Sequence, residues 1–456
     1  MTKLEDIVSL CKRRGFIFPG SDVYGGFAGT WDFGPLGVML KKNILDEWWE
    51  FWVEKRDDIF GVDAAILMNP KTWVASGHTS TFADPLVECK SCHGRFRADK
   101  LVDGATESIS TEEFLKQAPK CPTCGKTDWG PIRKFNMMFT THVGAVLPED
   151  ATGSEESKAL LEKSVAYLRP ETAQGIFTNY KNVVDCFYPS LPFGLAQQGK
   201  AFRNEISPRD FILRDRECSQ MEIEYFVDPE TWETEFEKVL KEYHIFLEEK
   251  FGLKKASLKD VEVEASDRAH YSKRTVDIMF NYPNGEEELM GIAYRTDFDL
   301  KNIERESGKS MEYRDKISGK TFVPHVIEPS IGVERVFLAI LSNAYSEEPV
   351  EGKPGETRTV LKLPENLAPY KFCVSPLLKN KSELVEIARE VYKLLKEKYT
   401  FVTWDDSGNI GKRYRKQDEI GTPKCVVVDF DTLADGTVTV RDRDSATQVR
   451  TKIEEL

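Results

Sequence analysis

The stretch SEEPVEGKPGET, residues 346–357, constrains the fold more than any other segment, because the patterning differs on its two sides. It is acidic, carries Gly and Pro and is poor in large apolar residues, as solvated connectors are. Before it, LPFGLAQQGKAFRNEI, DRECSQMEIEYFV and the run Glu287 to Phe298 read as consecutive strands, with helices near 36–56 and 230–250. Strands in sequence with segregated helices give an α+β architecture with an antiparallel sheet, not a doubly wound one. After it, KFCVSPL, FVTWDD, KCVVVDF and TVTVRDR read as short strands, with a helix over about 381–398. There Leu384, Ala388, Val391 and Leu395 keep helical spacing, and Asn380 with Glu383 suggests a capping box. That interleaving predicts a small α/β domain over 362–456, a linker over 346–361 and a larger domain over 1–345. LPEDATGSEESK, residues 147–158, reads as a second acidic loop.

Charge and composition exclude several classes. With 63 Lys+Arg against 76 Asp+Glu the net charge is −13, which argues against coating nucleic acid through bulk charge but leaves room for a local basic patch. No apolar run approaches the roughly 18–20 residues that span a bilayer, and MTKLEDIVSLCKRRG places acids where a secretory segment has an unbroken apolar block. The expected setting is the cytoplasm, without a membrane. No GxGxxG or GxxxxGKS motif is present, so neither a Rossmann nor a P-loop nucleotide site is supported.

CKSC (89–92) and CPTC (121–124) are the strongest metal signal. Each pair lets two thiolates hold one tetrahedral ion, and Cys89, Cys92, Cys121 and Cys124 together complete a structural four-cysteine zinc site in a zinc-ribbon-like insertion over about 86–130. Gly94 and Gly125 follow the pairs and would ease the knuckle turns. His93 is not needed as a ligand. Cys11, Cys186, Cys218, Cys373 and Cys425 are scattered, as in a reducing compartment.

Two further segments carry charge in a pattern. In AFRNEISPRDFILRDRECSQMEIEYF (201–226) a hairpin is expected, with Arg203 and Glu205 on one strand face and Gln220, Glu222 and Glu224 sharing another, since side chains repeat every two residues. Taken alone, such a hairpin reads as a solvated sheet face. In EPSIGVERVFLAIL (328–341) Gly332 opens a helix with Arg335 in its first turn, where the helix dipole disfavours a cation unless an anion is near. The bland alternative pairs Arg335 with Glu334 or Glu328.

Together these segments resemble motifs two and three of the class II aminoacyl-tRNA synthetases, and GPLG (34–37) leading into the helix Leu40 to Trp52 resembles motif one, the dimer interface of that class. Without the resemblance, Trp48, Trp49 and Trp52 read as core. Within the class the likeness is to the homodimeric, glycine-specific branch. It is carried by RRGFIFPGSDVYGGFAGTWDFGPLG, NMMF (136–139), YLRPETAQGIF (167–177), GIAYRTDFDL (291–300), VIEPSIGVER (326–335) and DSGNIGKRYRKQDEIGTP (406–423), in the right order along most of the chain.

The resemblance implies an enzyme that joins glycine to tRNA(Gly) through a glycyl-adenylate, working as a homodimer with ATP and Mg²⁺. Charge then builds on phosphate oxygens, which Arg and Mg²⁺ stabilise, and no protein nucleophile is needed. By similarity Arg203 holds the α-phosphate, Glu205 reads the adenine amino group, and Arg335 meets the γ-phosphate, these two arginines being the catalytic pair. Asn204 and the segment Leu213, Arg214, Asp215, Arg216, Glu217 and Cys218 complete one side of the ATP site. Glu288 and Leu289, with Gly332, Val333 and Glu334, complete the other. Glycine is matched to Glu171, Glu222 and Glu328 around its ammonium, with Ser330 filling the space of a larger side chain and Arg97 and Gln220 in the binding set. Three buried carboxylates are costly unless a cation joins them.

KRYRK, residues 412–416, is a basic run in an acidic chain, and Tyr414 adds a stacking surface. By resemblance to anticodon-binding domains, Lys412, Arg413, Tyr414, Arg415 and Lys416 are expected to contact tRNA. Two readings compete with this one: a sibling synthetase for another small amino acid, and an inactive nucleic-acid-binding paralogue. The phosphate-binding set Arg203, Glu205, Arg214, Arg216 and Arg335 speaks against the second.

Overall fold

A computed structural model describes residues 3–106, 108–144, 155–208, 210–350 and 354–456. The acidic stretch 147–158 lies outside the described residues as far as residue 154; helix Glu155–Ser164 begins within its last part.

Alternating apolar and polar residues build a seven-stranded sheet in the order Leu258–Glu262, Arg274–Tyr282, Gly285–Thr296, His325–Gly332, Glu217–Val227, Phe193–Phe202, Ile59–Gly61. The first six strands pair antiparallel and the last pairs parallel. Helices Pro35–Trp49, Trp232–Glu249 and Val333–Ala344 bury their apolar stripes against it. Pro35 opens the first of these where its missing N–H costs nothing. Two residues on, a Cβ at Gly37 would lie 1.9 Å from the Phe16 carbonyl oxygen, so only glycine lets the helix start this close. The helix widens into a π turn over Glu50–Glu54. Trp52 stacks on Tyr243 at 4.2 Å, and Trp48 and Trp52 are buried within the chain. Those two rings are therefore core, as their apolar character alone suggested, and only the half-buried Trp49, packed over Gly61, remains near the surface.

The second sheet has five strands in the order Val402–Trp404, Phe372–Pro376, Lys424–Val428, Thr437–Asp442, Gln448–Lys452, parallel across the first two pairs and antiparallel across the others. Helix Ser382–Lys398 packs Leu384, Ala388, Val391 and Leu395 onto it, the four residues whose spacing predicts the helix. The fold class expected from the sequence holds in both parts.

Three local expectations differ. Helix Ser382–Lys398 is capped at Lys381 with no side-chain bond, so Asn380 and Glu383 form no capping box. Much of the 346–361 connector is structured: strands Tyr345–Pro349 and Thr357–Leu361 pair antiparallel, because Val360 and Leu361 bury in the protein and anchor one limb. And the strand Phe193–Phe202 ends before Arg203, which puts Arg203 and Glu205 in the loop beyond it rather than on one strand face.

Candidate active site

Register brings the charged segments together. Glu222 lies opposite Ser330 and Gln220 opposite Gly332 across one strand pair, while Ala293 lies opposite Glu328 and Gly291 opposite Ser330 across the next. Side chains on the same face of these three neighbouring strands point to one place. There a cleft of about 530 Å³ opens, lined among others by Arg97, Arg203, Glu205, Arg214, Glu288 and Arg335.

At one end of the cleft the cations gather. Arg203 is half-buried, its Nε donating to the Pro170 carbonyl at 3.1 Å, with its guanidinium 5.9 Å from the Phe82 ring centre. Arg335 sits in the first turn after Gly332 and pairs with neither Glu334 nor Glu328. It donates to the Glu288 carbonyl at 2.7 Å and meets the Glu288 carboxylate at 3.0 Å, so that the Arg335 charge, against the cost of burial, holds this carboxyl below its usual range. Glu334 instead accepts from the Ser219 N–H and from Lys41, each at 2.8 Å. Asp215, between buried surroundings and Glu334, is pushed up to about 8. Asp277, also in the cleft, is raised to about 7 by burial and Glu288. Leu213, Leu289 and Cys218 line the walls, the Cys218 thiol pushed by burial up to about 12. Asn204 fixes the loop through its N–H to Met137 O at 2.7 Å, Arg216 donates to the carbonyls of Ala28 and Glu205, Val333 is buried, and Glu217 is exposed on Lys200 at 3.0 Å.

At the other end the carboxylates gather. Glu171, Glu222 and Glu328 are all at least nine-tenths buried, and a fourth, Glu224, is wholly enclosed with neither carboxylate oxygen hydrogen-bonded. Glu328 forms an ion pair with Arg295, which also forks onto Asp299 at 2.8 and 2.9 Å and lies over the Tyr271 ring at 3.7 Å. Glu222 accepts from the Thr172 hydroxyl and lies opposite Ser330 in register, and Gln220 accepts from the Thr172 N–H at 3.1 Å. Glu171 faces His78 at 3.5 Å. Burial raises Glu328 to about 8 even beside Arg295, and raises Glu222, with Glu171 adding to it; Glu224 is driven far above the ordinary range by burial and by Glu328. Glu171 goes the other way, since His78, Arg295 and Arg203 outweigh its burial.

Among the described residues of the cluster, only the Arg295 guanidinium pairs directly with one of these glutamates, and acids are in excess. The expectation that these carboxylates make sense only with an added cation is corrected in part: Arg295, Thr172 and His78 already satisfy some of them. None of these three belongs to the site read from the sequence, although Arg295 and Asp299 lie in GIAYRTDFDL and Thr172 in RPETAQG. The period-two spacing of Gly291, Ala293 and Arg295 was the available signal for Arg295. Arg97 reaches the cleft from its short strand, held by Asp84 at 2.9 Å and Asp99 at 2.8 Å.

The four cysteines converge. Their sulfur atoms all lie within 4.8 Å of one another, with Cys89–Cys124 and Cys92–Cys121 at 3.6 Å. Sulfurs at the corners of a tetrahedron about 2.3 Å from zinc stand about 3.8 Å apart, so the set fits that ion. Gly125 takes the left-handed turn at φ +72°, but in the first knuckle His93, at φ +59°, does so in place of Gly94. His93 points to solvent and Glu88.

The basic run forms part of helix Ile410–Ile420 and divides in two. Arg413 is buried, donating to the carbonyls of Pro376, Asp406 and Gly408, and Tyr414 is half-buried beneath Arg441. Arg413 thus serves the fold and does not present its charge to RNA. Lys412, Arg415 and Lys416 are exposed; Arg415 meets Glu356 at 2.6 Å and Lys416 meets Asp405 at 3.1 Å.

Residues 161–344 match the tRNA synthetase class II core domain (G, H, P, S and T), and residues 371–456 match the anticodon binding domain. The class is that of the class II aminoacyl-tRNA synthetases. The chain is 46% identical to a glycine–tRNA ligase of Clostridium kluyveri, over 99% of this chain and 96% of that one. It is 48% identical to one of Clostridium acetobutylicum, over 99% and 97%. Against one of Lysinibacillus sphaericus it is 46% identical, again over 99% and 97%. The chain belongs to the glycine–tRNA ligase family.

Proposed function

We propose that the protein activates glycine with ATP and transfers it to tRNA(Gly). The observation that carries this reading is the juxtaposition, in one cleft, of a two-arginine phosphate end, Arg203 and Arg335, with Glu328, beside which the carboxyls of Glu171 and Glu222 are buried. An amino acid laid across it puts its ammonium among the carboxylates and its carboxylate toward the α-phosphate. Burial makes each carboxylate–ammonium contact worth more than in water.

Arg203 stabilises charge on the α-phosphate during attack and Arg335 holds the γ-phosphate, exchanging its pairing with Glu288 for an anion of higher charge. Glu205 accepts from the adenine amino group, and Leu213, Arg214 and Cys218 close over the nucleotide. Class II synthetases use Mg²⁺ with ATP; Glu288 and Asp277, beside Arg335, are among the carboxylates lining the cleft and would hold the ion, which would neutralise phosphate charge there. Ser330, opposite Glu222 on the neighbouring strand, occupies the volume a β-carbon needs, which selects glycine by bulk. Arg97 brings the cysteine-rich insertion to the same cleft, and a structural Zn²⁺ on Cys89, Cys92, Cys121 and Cys124 would hold that insertion in place.

The wider reading takes residues 1–345 as the catalytic domain with the insertion over about 86–130, 346–361 as the linker and 362–456 as the anticodon reader. Lys412, Arg415 and Lys416 there contact RNA, with Tyr414 offering a ring edge. The working form is a homodimer formed about the Pro35–Trp49 helix and its neighbours, in the cytoplasm. No helix among the described residues is long and apolar enough to cross a membrane.

Pyrophosphate exchange into ATP, run with each amino acid separately, tests the central reading. Glycine should support it, alanine at best weakly. Proline or threonine supporting the fastest exchange would overturn it.

A further inference from the structure

The turn Ser21–Gly29 lies outside every residue assigned above. It exposes three large apolar side chains within five residues: Val23 is 86% exposed, Tyr24 90% and Phe27 59%. Clustered apolar exposure of this kind marks an interaction surface more often than chance does. The turn is also rigidly held. Gly20 N–H donates to Thr30 O at 2.9 Å, Phe27 N–H to Gly20 O at 3.0 Å and Gly26 N–H to Ser21 O at 3.2 Å, while Thr30 Oγ1 donates to Phe27 O at 2.8 Å. Gly25, Gly26 and Gly29 take φ of +92°, +79° and +74°, which other residues rarely adopt. The backbone that presents the rings is thus fixed.

Its position gives the partner. The Arg216 N–H donates to Gly29 O at 2.7 Å and Arg216 Nη1 to Ala28 O at 2.7 Å; the space a Cβ on Gly29 would need is filled by Pro208, 2.5 Å away. The turn is therefore seated on the 203–216 loop, whose Glu205, Leu213, Arg214 and Asp215 line the cleft. The Arg216 guanidinium stands 5.4 Å from the centre of the Phe27 ring. Exposed aromatic rings, one of them against Arg216, at the rim of a site where an RNA end must be esterified, match the chemistry of unpaired nucleotides: flat bases to stack and phosphates to neutralise. A second copy of this chain would carry the same net charge of −13 and offers no flat bases to stack on the rings.

We propose that this turn is a landing for the unpaired 3′ end of the tRNA acceptor arm, with Tyr24 and Phe27 stacking on its bases as it enters the cleft. The proposal rests on the tRNA-charging function above. The test uses the full chain with Tyr24→Ser, Phe27→Ser and the double variant. Three readouts are glycine-dependent pyrophosphate exchange, charging of tRNA(Gly), and anisotropy binding of an acceptor-arm RNA hairpin with and without its unpaired 3′ nucleotides. Exchange should stay near that of the parent, whereas charging kcat/KM should fall about tenfold for each ring removed, the scale of one base–aromatic stack. The parent's preference for the hairpin with the unpaired end should disappear in the double variant. Unchanged charging, or an equal loss of binding for both hairpins, would overturn the proposal. So would conversion to monomer in sedimentation with hairpin discrimination intact, which would assign the turn to self-association. A parent protein that charged no tRNA would refute the tRNA-charging function instead, and the two-hairpin comparison would still decide the landing.

Discussion

The two sheets handle buried charge in opposite ways. Beneath the seven-stranded sheet's cleft, Glu171, Glu222, Glu224 and Glu328 crowd around one guanidinium, Arg295, which is itself shared with Asp299. Three of those four carboxyls are pushed upward, so the crowding favours their protonated forms. Beside the five-stranded sheet, Asp418 receives Arg441 at 2.7 Å and Arg358 at 2.9 Å, Arg413 donates to three carbonyls, and Arg443 donates to the carbonyls of Gly421 and Leu363. Buried charge that the protein neutralises itself belongs to the fold. Buried charge left in excess of one sign belongs to a ligand.

The largest effect that could break this contrast lies at the phosphate end. Arg203→Ala or Arg335→Ala should slow glycine-dependent pyrophosphate exchange by about two or more orders of magnitude, as lost transition-state charge stabilisation does. Near-normal rates in both would mean the cleft is not where activation happens. Next comes Glu222→Gln, which keeps shape but leaves the acid-rich end one ionisable carboxyl short. The KM for glycine in exchange should rise about ten- to a hundredfold, the worth of a hydrogen bond to a charged group, with the KM for ATP little changed.

On the other side of the comparison, Arg413→Ala leaves the carbonyls of Pro376, Asp406 and Gly408 without their donor and should lower the unfolding temperature of the second sheet, at a cost of about 1–3 kcal/mol. Lys412→Ala with Arg415→Ala should leave that temperature alone while flattening the salt dependence of tRNA binding by about one unit of slope for each phosphate no longer neutralised. Differential scanning calorimetry and binding at several salt concentrations separate the two outcomes. If Arg413→Ala altered only RNA affinity, the division drawn within the basic run would fail.

The smallest effect is on pH. Glu328 titrates at about 8 in the folded protein against an ordinary 4.5, and Asp215 at about 8 against 3.8. Between those limits the folded state binds more protons than the unfolded one, so stability falls as pH rises. The unfolding temperature of the ligand-free protein should therefore be lower at pH 8 than at pH 6, and the slope shallower in Glu328→Gln. Glu171 works in the opposite sense, but its contribution is lost only as pH falls below the ordinary 4.5, outside this window.

What the sequence made legible followed from local periodicity. The alternation around Glu217–Val227 placed Gln220, Glu222 and Glu224 on one face, and the GVER turn placed Arg335 at a helix start; both hold in the structure. What it hid depends on partners far along the chain. Arg413 in KRYRK looks like its basic neighbours until helix Ile410–Ile420 turns it toward the loop after Pro376. The 346–357 stretch reads as loop because its apolar anchors, Val360 and Leu361, lie just beyond it. Arg335 meets Glu288 rather than Glu334 or Glu328 because strand register, not sequence distance, sets that pair.

The central claim is that the excess acid around Arg295 is an ammonium site. Calorimetric titration of the protein at pH 7 with a non-hydrolysable glycyl-adenylate analogue, in two buffers of different ionisation heat, tests it most directly. The ammonium should displace the proton favoured on Glu328, whose carboxyl is raised to about 8, so binding should release protons, and the matched analogue lacking the amine should bind far more weakly and release none. Equal affinity for the two analogues, with no proton release by either, would contradict the claim.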